Sequence, residues 1–292
     1  MKGTSWTWTW IGMGTIICLF LSLWFMLKPS PPREPYRLLH LVLYSETDQY
    51  KAMYKMLSRY YRETFPDIKT VFYTFSPHLE SPYSLSGDVL YIRGKDTYIP
   101  GILDKTWLAM KYFQESLRQN QYNYIVRSNI STIVNFKTLI PLLETTDFID
   151  YGGGMLNELE WIDPHGGVTD DRWFGTVYGS GTALFLSKNL ALDLLNHPNL
   201  LRRDLVDDLA IGVFFREYRP SIVPKATDIE KFCFVPYFEN RETREGELRH
   251  LAEQSFAFYR NHNGDRNIDV EQMHILLSYL SQGAGGRART MN

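Results

Sequence analysis

The sequence predicts an α/β fold with a largely parallel sheet, preceded by one N-terminal transmembrane helix. Three observations predict it. Apolar, β-rich runs alternate with stretches of helical period along residues 37–281. Glycines and small polar residues gather where those runs end, which is where ligands sit in α/β proteins. A charge-free apolar run, Trp8 to Leu27, stands apart at the N-terminus and has the length needed to cross a bilayer.

The anchor is justified first. Trp6, Trp8 and Trp10 cluster at one end of the run and Trp24 near the other, as interfacial belts do. A cleaved signal peptide would have a shorter apolar region and a small-residue cleavage site, whereas KPSPPREP follows here. Residues 1–7 are then a short tail, 8–27 the anchor and 28–36 a stiff Pro-rich stem. Lys2 precedes the span while Lys28, Arg33 and Arg37 follow it, so the charge rule gives almost no orientation.

The globular part, residues 37–281, opens with the buried-strand run RLLHLVLYS, Arg37 to Ser45. Asp48 to Thr64 carries Tyr50, Met53, Leu57 and Tyr60 or Tyr61 at helical spacing. Lys69 to Ser76 and Asp88 to Gly94 read as strands bounded by Pro and Gly. Ile102 to Leu117 reads as one helix with Leu103, Thr106, Trp107, Met110, Lys111 and Phe113 on its apolar face. The strand YNYIV and a helix from Phe136 to Glu144 follow. The second half offers a Gly-rich turn at Gly152 to Gly154, a strand Thr182 to Ser187, a helix Lys188 to Leu195 and a last helix Val270 to Leu280. Residues 282–292 read as a disordered tail.

Composition narrows the function. The chain is 44% hydrophobic and 15% aromatic over 292 residues, enough for a sizeable core. A formal net charge of -2 argues against bulk nucleic-acid binding. Cys18 lies in the span and Cys233 far from it, so the globular part holds no internal disulfide. No HExxH, paired CxxC, P-loop or GxSxG pattern occurs. His165, in DPHGG, reads as a loop histidine, and His40, inside a strand, as a satisfied core residue.

Four segments could carry chemistry. Arg127, Ser128, Asn129, Ile130 and Ser131 leave the strand YNYIV as a ligand-facing turn, or as an ordinary turn that caps the next helix. Gly179, Ser180 and Gly181 would let a ligand approach the backbone, or simply make a tight turn. Asp207 and Asp208 begin the helix LAIGVFF; one could face a cleft as general base while the other caps or pairs with Arg202 or Arg203. Phe258 to Arg266 gathers Arg260, His262 and Arg266, as a binding loop or a surface turn.

Taken in order, GKDTYIPGILDKTWLAMKYF, YNYIVRSNISTIVNF, YGSGTALFLSKNLALDLL and VDDLAIGVFF resemble the β-1,3-galactosyltransferase, β-1,3-N-acetylglucosaminyltransferase and fringe family. The resemblance runs from Asp96 to Gly212, some 40% of the chain. It implies a GT-A-like fold, a Rossmann-like mixed sheet flanked by helices that binds a nucleotide sugar, and an inverting transfer to a glycan hydroxyl. It also implies a single-pass type II membrane protein of the Golgi or ER with its C-terminal domain in the lumen. Asp208, with its neighbour Asp207, would be the base. Arg127, Ser128, Asn129, Ser131, Lys105, Gly179, Ser180, Gly181, Arg260 and His262 would hold the donor. Composition, separately from the resemblance, points to Asp170, Asp171 and Trp173 as an acceptor-side loop, since aromatic rings stack on sugar faces.

The sequence departs from the family at one place. Where the family has Asp-x-Asp to hold Mn²⁺, this chain has Asn129 and Ser131 after Arg127. Two neutral side chains are poor ligands for a hard divalent cation. One account is a transferase that requires no cofactor, with arginines in place of the ion and Mn²⁺ as the alternative. The other is a catalytically inactive, membrane-anchored domain that binds a glycan or a protein. The expected partners are a nucleotide sugar, a glycan and, through residues 8–27, the membrane.

Overall fold

The protein was analysed as a computed structural model that describes residues 37–145, 149–226, 231–238 and 241–285. These belong to one compact unit, Tyr36–Asn292. The expected anchor and stem, and tail residues 286–292, lie outside the described residues. Among the described residues no helix is long and apolar enough to cross a membrane.

The order is β1 (Leu38–Leu43), α1 (Asp48–Thr64), β2 (Lys69–Ser76), β3 (Tyr83–Ser86), β4 (Val89–Arg93), α2 (Gly101–Tyr112) and α3 (Gln114–Arg118). Then come β5 (Tyr124–Asn129), β6 (Thr132–Val134), α4 (Phe136–Thr145), β7 (Tyr151–Gly153), β8 (Leu156–Glu158), β9 (Val177–Gly179), β10 (Ala183–Ser187) and α5 (Lys188–Asn196). α6 (Asp207–Tyr218), β11 (Lys225–Ala226), β12 (Phe232–Val235), α7 (Arg241–Glu253), β13 (Phe258–Asn261) and α8 (Arg266–Gly285) complete the described chain.

Eight strands form the main sheet in the order β11-β7-β10-β5-β1-β2-β4-β3. Its centre, β5-β1-β2-β4, is parallel, as alternation of strand and helix predicts. The sheet is mixed rather than largely parallel, because β10 runs antiparallel to both β5 and β7, and β3 is an antiparallel edge. Central strands are buried on both faces, hence the unbroken apolar run of β1. Leu39 and Leu41 face a core shared with α2 and α6, while Leu38 and Val42 face one shared with α1 and α8. A second sheet, β12-β13-β6, leans on the carboxyl end of β5 through the short β5–β6 connection.

Several expectations are corrected. The helix expected over Ile102 to Leu117 breaks at Phe113 into α2 and α3, and Lys111 is exposed, its ammonium 4.7 Å from the Trp107 ring. Gly152 and Gly153 are strand, not turn: a Cβ on Gly152 would lie 2.0 Å from the Lys225 carbonyl on β11. Arg127, Ser128 and Asn129 remain inside β5. The last helix runs to Gly285, into the expected tail.

Candidate functional site

β5 carries its polar residues into the core by turning them to different faces. Ser128 points with Val126 toward α1 and α4, and its hydroxyl meets His40 Nε2 at 2.9 Å. His40 also meets Thr70 Oγ1 at 3.3 Å and packs edge-on to Tyr61 and Phe136. Burial drives its pKa down to about 3, so it stays neutral. His40 is the satisfied core residue the sequence suggests, and Ser128 is its partner, turned away from the site.

Arg127 lies on the other face, 2% exposed. Its Nη2 donates to Asp207 Oδ2 at 2.7 Å, its Nη1 to Asn129 Oδ1 at 2.9 Å and to the Gly181 carbonyl, and its Nε to Tyr73 Oη at 3.3 Å. Burial opposes the guanidinium's charge, but Asp207, Tyr73 and Asp208 together outweigh it and the net shift is upward. Arg127 lines the cleft and is at the same time the internal partner of Asp207. Arg202 and Arg203 are not partners of the acidic pair: Arg202 binds Asp204 at 2.5 Å and Arg203 binds Asp104 at 2.7 Å.

Around this pair opens a cleft of ≈ 590 Å³ at the carboxyl ends of the parallel strands. Tyr44 and Ser45 enter from β1, Asp96 to Tyr98 from β4, and Asn129 to Ser131 from β5. Ser180 to Thr182 lead into β10, whose antiparallel direction places its amino end beside the carboxyl end of β5. Asp207 and Asp208 come from the first turn of α6, and Arg260 and Arg266 from β13 and α8.

Charge bookkeeping in the cleft leaves two groups over. Lys105 Nζ is 2.5 Å from Asp96 Oδ1 and also donates to the Tyr44 carbonyl at 3.2 Å. Burial pulls its pKa down and Asp96 works against that. Lys105 thus lines the cleft with its charge matched by a carboxylate. Arg266 is matched by the fully buried Asp269 at 2.5 Å. Arg260, 8% exposed, is held by the hydroxyls of Ser131 and Thr132 and has no carboxylate within ion-pair distance among the described residues. Burial, then Arg266, push its pKa down to about 10.

Asp208 is the other unmatched group. Its Oδ2 accepts from Gly181 N–H at 2.7 Å and its Oδ1 from Leu209 N–H at 2.9 Å, with no cation within ion-pair distance among the described residues. Burial, then the charge of Asp207, push its pKa up to about 6. Gly181 fits tightly between Asp208 and Arg127, where a Cβ would sit 3.2 Å and 3.1 Å from their polar atoms.

Of the other expected site residues, Ser180, Gly181, Asn129 and Ser131 line the cleft. Gly179 does not: it lies in β9, donates to Tyr151 Oη at 3.0 Å, and a Cβ there would be 2.7 Å from the Gly152 carbonyl. His262 is exposed beyond the end of β13 and off the cleft wall; burial of its ring, then Arg260 and Arg266, lower its pKa. Asp170, Asp171 and Trp173, expected on the acceptor side, do not line this cleft. Trp173 is buried beneath the guanidiniums of Arg202 and Arg172, at 4.9 and 5.8 Å, and Asp170 is held by Arg172. Thr182, which ends the candidate segment Tyr178 to Thr182, also lines the cleft, while Tyr44, Ser45 and Tyr50 do so without having been singled out by the sequence. The strand-end rule applied to β1 would have found Tyr44 and Ser45. Tyr50 reads only as part of the apolar face of α1.

The residues at the Asp-x-Asp positions do not suit a divalent cation. Asn129 Oδ1 already accepts from Arg127, and Ser131 Oγ from Arg260. An ion there would meet two guanidiniums and no carboxylate from either position.

No protein-family model matches the chain, and no curated protein matches it by sequence. Among solved structures, it is similar to a glycosyltransferase involved in the glycosylation of the major capsid of PBCV-1, at 13% identity and a TM-score of 0.44, covering 82% of this chain and 99% of that one. It is also similar to the galactosyltransferase LgtC in complex with donor and acceptor sugar analogs, at 12% identity and a TM-score of 0.35, covering 82% of this chain and 95% of that one.

Proposed function

We propose that this chain is a GT-A-type inverting glycosyltransferase. It moves a hexose or N-acetylhexosamine from a UDP-linked sugar to a glycan hydroxyl, with arginine in place of the metal ion. In this reading residues 8–27 anchor it as a single-pass type II protein of the Golgi or ER, with the C-terminal domain in the lumen. The observation that carries the proposal is the pair of unmatched charges in one strand-end cleft, the buried cation Arg260 and the carboxylate Asp208.

A buried guanidinium without a counter-anion is costly, and a ligand anion relieves that cost. Diphosphate suits it, because arginine donates to phosphate oxygens in a planar fork. A carboxylate whose pKa is about 6 suits a general base near neutral pH. In the transfer, Asp208 takes the proton of the acceptor hydroxyl as its oxygen bonds to the anomeric carbon. The bond from that carbon to the phosphate oxygen breaks, and its electron pair leaves with UDP. Arg260, with Arg266 beside it, stabilises the charge that develops on the leaving diphosphate.

The test is calorimetric titration of the full-length chain with UDP in excess EDTA, repeated with Mn²⁺. The expected result is binding in EDTA that Arg260→Ala weakens by about tenfold or more, the worth of a charge-assisted contact. Binding that needs Mn²⁺ would refute the arginine assignment. No UDP binding under either condition would refute the transferase and leave the non-catalytic recognition domain.

A further inference from the structure

The loop Asp163 to Val168 is not used by the reaction as drawn above, and its geometry is specific. It closes on itself through paired backbone bonds, Asp163 N–H to Val168 O at 3.1 Å and Val168 N–H to Asp163 O at 2.8 Å. It is pressed onto the segment just before the acidic pair. The Gly166 carbonyl accepts from Val206 N–H at 3.0 Å. Gly167 has φ +86°, and a Cβ there would lie 1.9 Å from the Asp204 carbonyl. This close, left-handed approach requires glycine.

At the tip of the loop, His165 reaches a residue of another segment. Its ring stacks on Tyr98, centroids 4.4 Å apart and planes 17° from parallel. Tyr98 lines the same cleft as Asp208 and stays 46% exposed. It stands two residues after Asp96, which Lys105 holds in place. Asp163, at the base of the loop, lies near enough to act on both neighbouring phenols. Burial, then the charges of Asp208, Asp163 and Asp207, raise the Tyr98 pKa. Burial and Asp208 lead the causes that push Tyr178 up to about 12. A half-exposed aromatic stack is thus fixed from two sides beside carboxylates.

A pyranose has the complementary surface: a flat face of C–H bonds and a rim of hydroxyl donors. We infer that Tyr98 stacks on the face of the acceptor sugar, that His165 is the positioning residue that fixes the Tyr98 ring, and that together they place an acceptor hydroxyl against Asp208. The inference rests on the glycosyl-transfer reading for the direction of the reaction, but sugar binding at the stack is measurable without it.

The experiment is saturation-transfer NMR on the full-length chain with methyl β-galactoside and methyl β-N-acetylglucosaminide, with and without UDP. Expected is transfer to the ring C–H protons of at least one glycoside. Tyr98→Ala and His165→Ala should each raise its Kd about three- to tenfold, the worth of one aromatic contact. Tyr98→Phe and His165→Phe should restore it, because they keep the stack, and UDP affinity should be unchanged in all four variants. Wild-type binding of neither glycoside, or unaltered binding in both alanine variants, overturns the inference. Glycoside binding at the stack without any UDP binding would instead overturn the transferase and leave this site standing.

Discussion

Asp207 and Asp208 are neighbours with opposite surroundings. Asp207 is paired with Arg127 inside the protein, whereas Asp208 faces the cleft with two backbone N–H donors and, among the described residues, no cation within ion-pair distance. Its raised pKa means that the proton is held up to about pH 6, so the base form grows as pH rises through that value. Turnover should therefore climb through about pH 6 and level off above it, and Asp208→Asn should lower it by roughly 10²–10⁴-fold with UDP affinity retained. A flat profile between pH 5 and 8, measured with saturating donor, would remove Asp208 from the role. Arg127 is a poor residue on which to test donor binding, because its loss strands Asp207 as a buried charge at a cost of about 3–5 kcal/mol. At this scale the residue types at the strand end were legible, since Arg127, Asn129 and Ser131 line the strand-end cleft. Their partners were not, because the Arg127–Asp207 and Ser131–Arg260 contacts span 80 and 129 residues of chain. Nothing in a linear sequence tells which arginine a carboxylate will neutralise.

The element that aims the acids is α6. It can lie close to β9 because Gly212 has no side chain; a Cβ there would sit 2.5 Å from Tyr178 Cβ. Gly212→Ala should push the helix outward and destabilise the fold by about 1–3 kcal/mol, read as a lower urea midpoint, despite alanine's better helix propensity. An unchanged or higher midpoint would mean that the helix packs with more slack than the geometry gives. Where period and burial agreed, elements were legible: α1 runs over Asp48–Thr64 and β2 over Lys69–Ser76 as their patterns indicate. β13, which carries Arg260, and the two elements before it, β12 and α7, were not. α7 presents a thin apolar side, with Leu248 fully buried amid charged neighbours. β12 and β13 are four residues each, too short for alternation to stand out. The loop around His165 was legible as a loop but its shape was not: DPHGG has no period at all, and its fixed shape comes from contact with Asp204 and Val206.

Seen as a whole, the molecule is nearly neutral, with a formal net charge of -2, so no long-range field draws in an anionic donor. In the proposed reading the attraction is local and buried at Arg260, and buried charges are screened little by salt. UDP affinity should accordingly change by less than about threefold between about 0.05 M and about 0.5 M NaCl. A steep fall over that range would move the binding contacts to surface lysines and arginines. The buried thiol of Cys233 fits the same picture of a core closed to solutes, since burial pushes its pKa up to about 11 and withholds the reactive thiolate.

The arginines that reach Asn129 and Ser131 also limit what mutation can do to this protein. Placing aspartate at either position would not open a seat for a metal ion, because the new carboxylate would face a guanidinium already in contact and be neutralised by it. A metal seat at these two positions would need both acids and the loss of Arg127 and Arg260 together. Each intermediate carries a stranded or self-cancelled charge, so no single substitution reaches it.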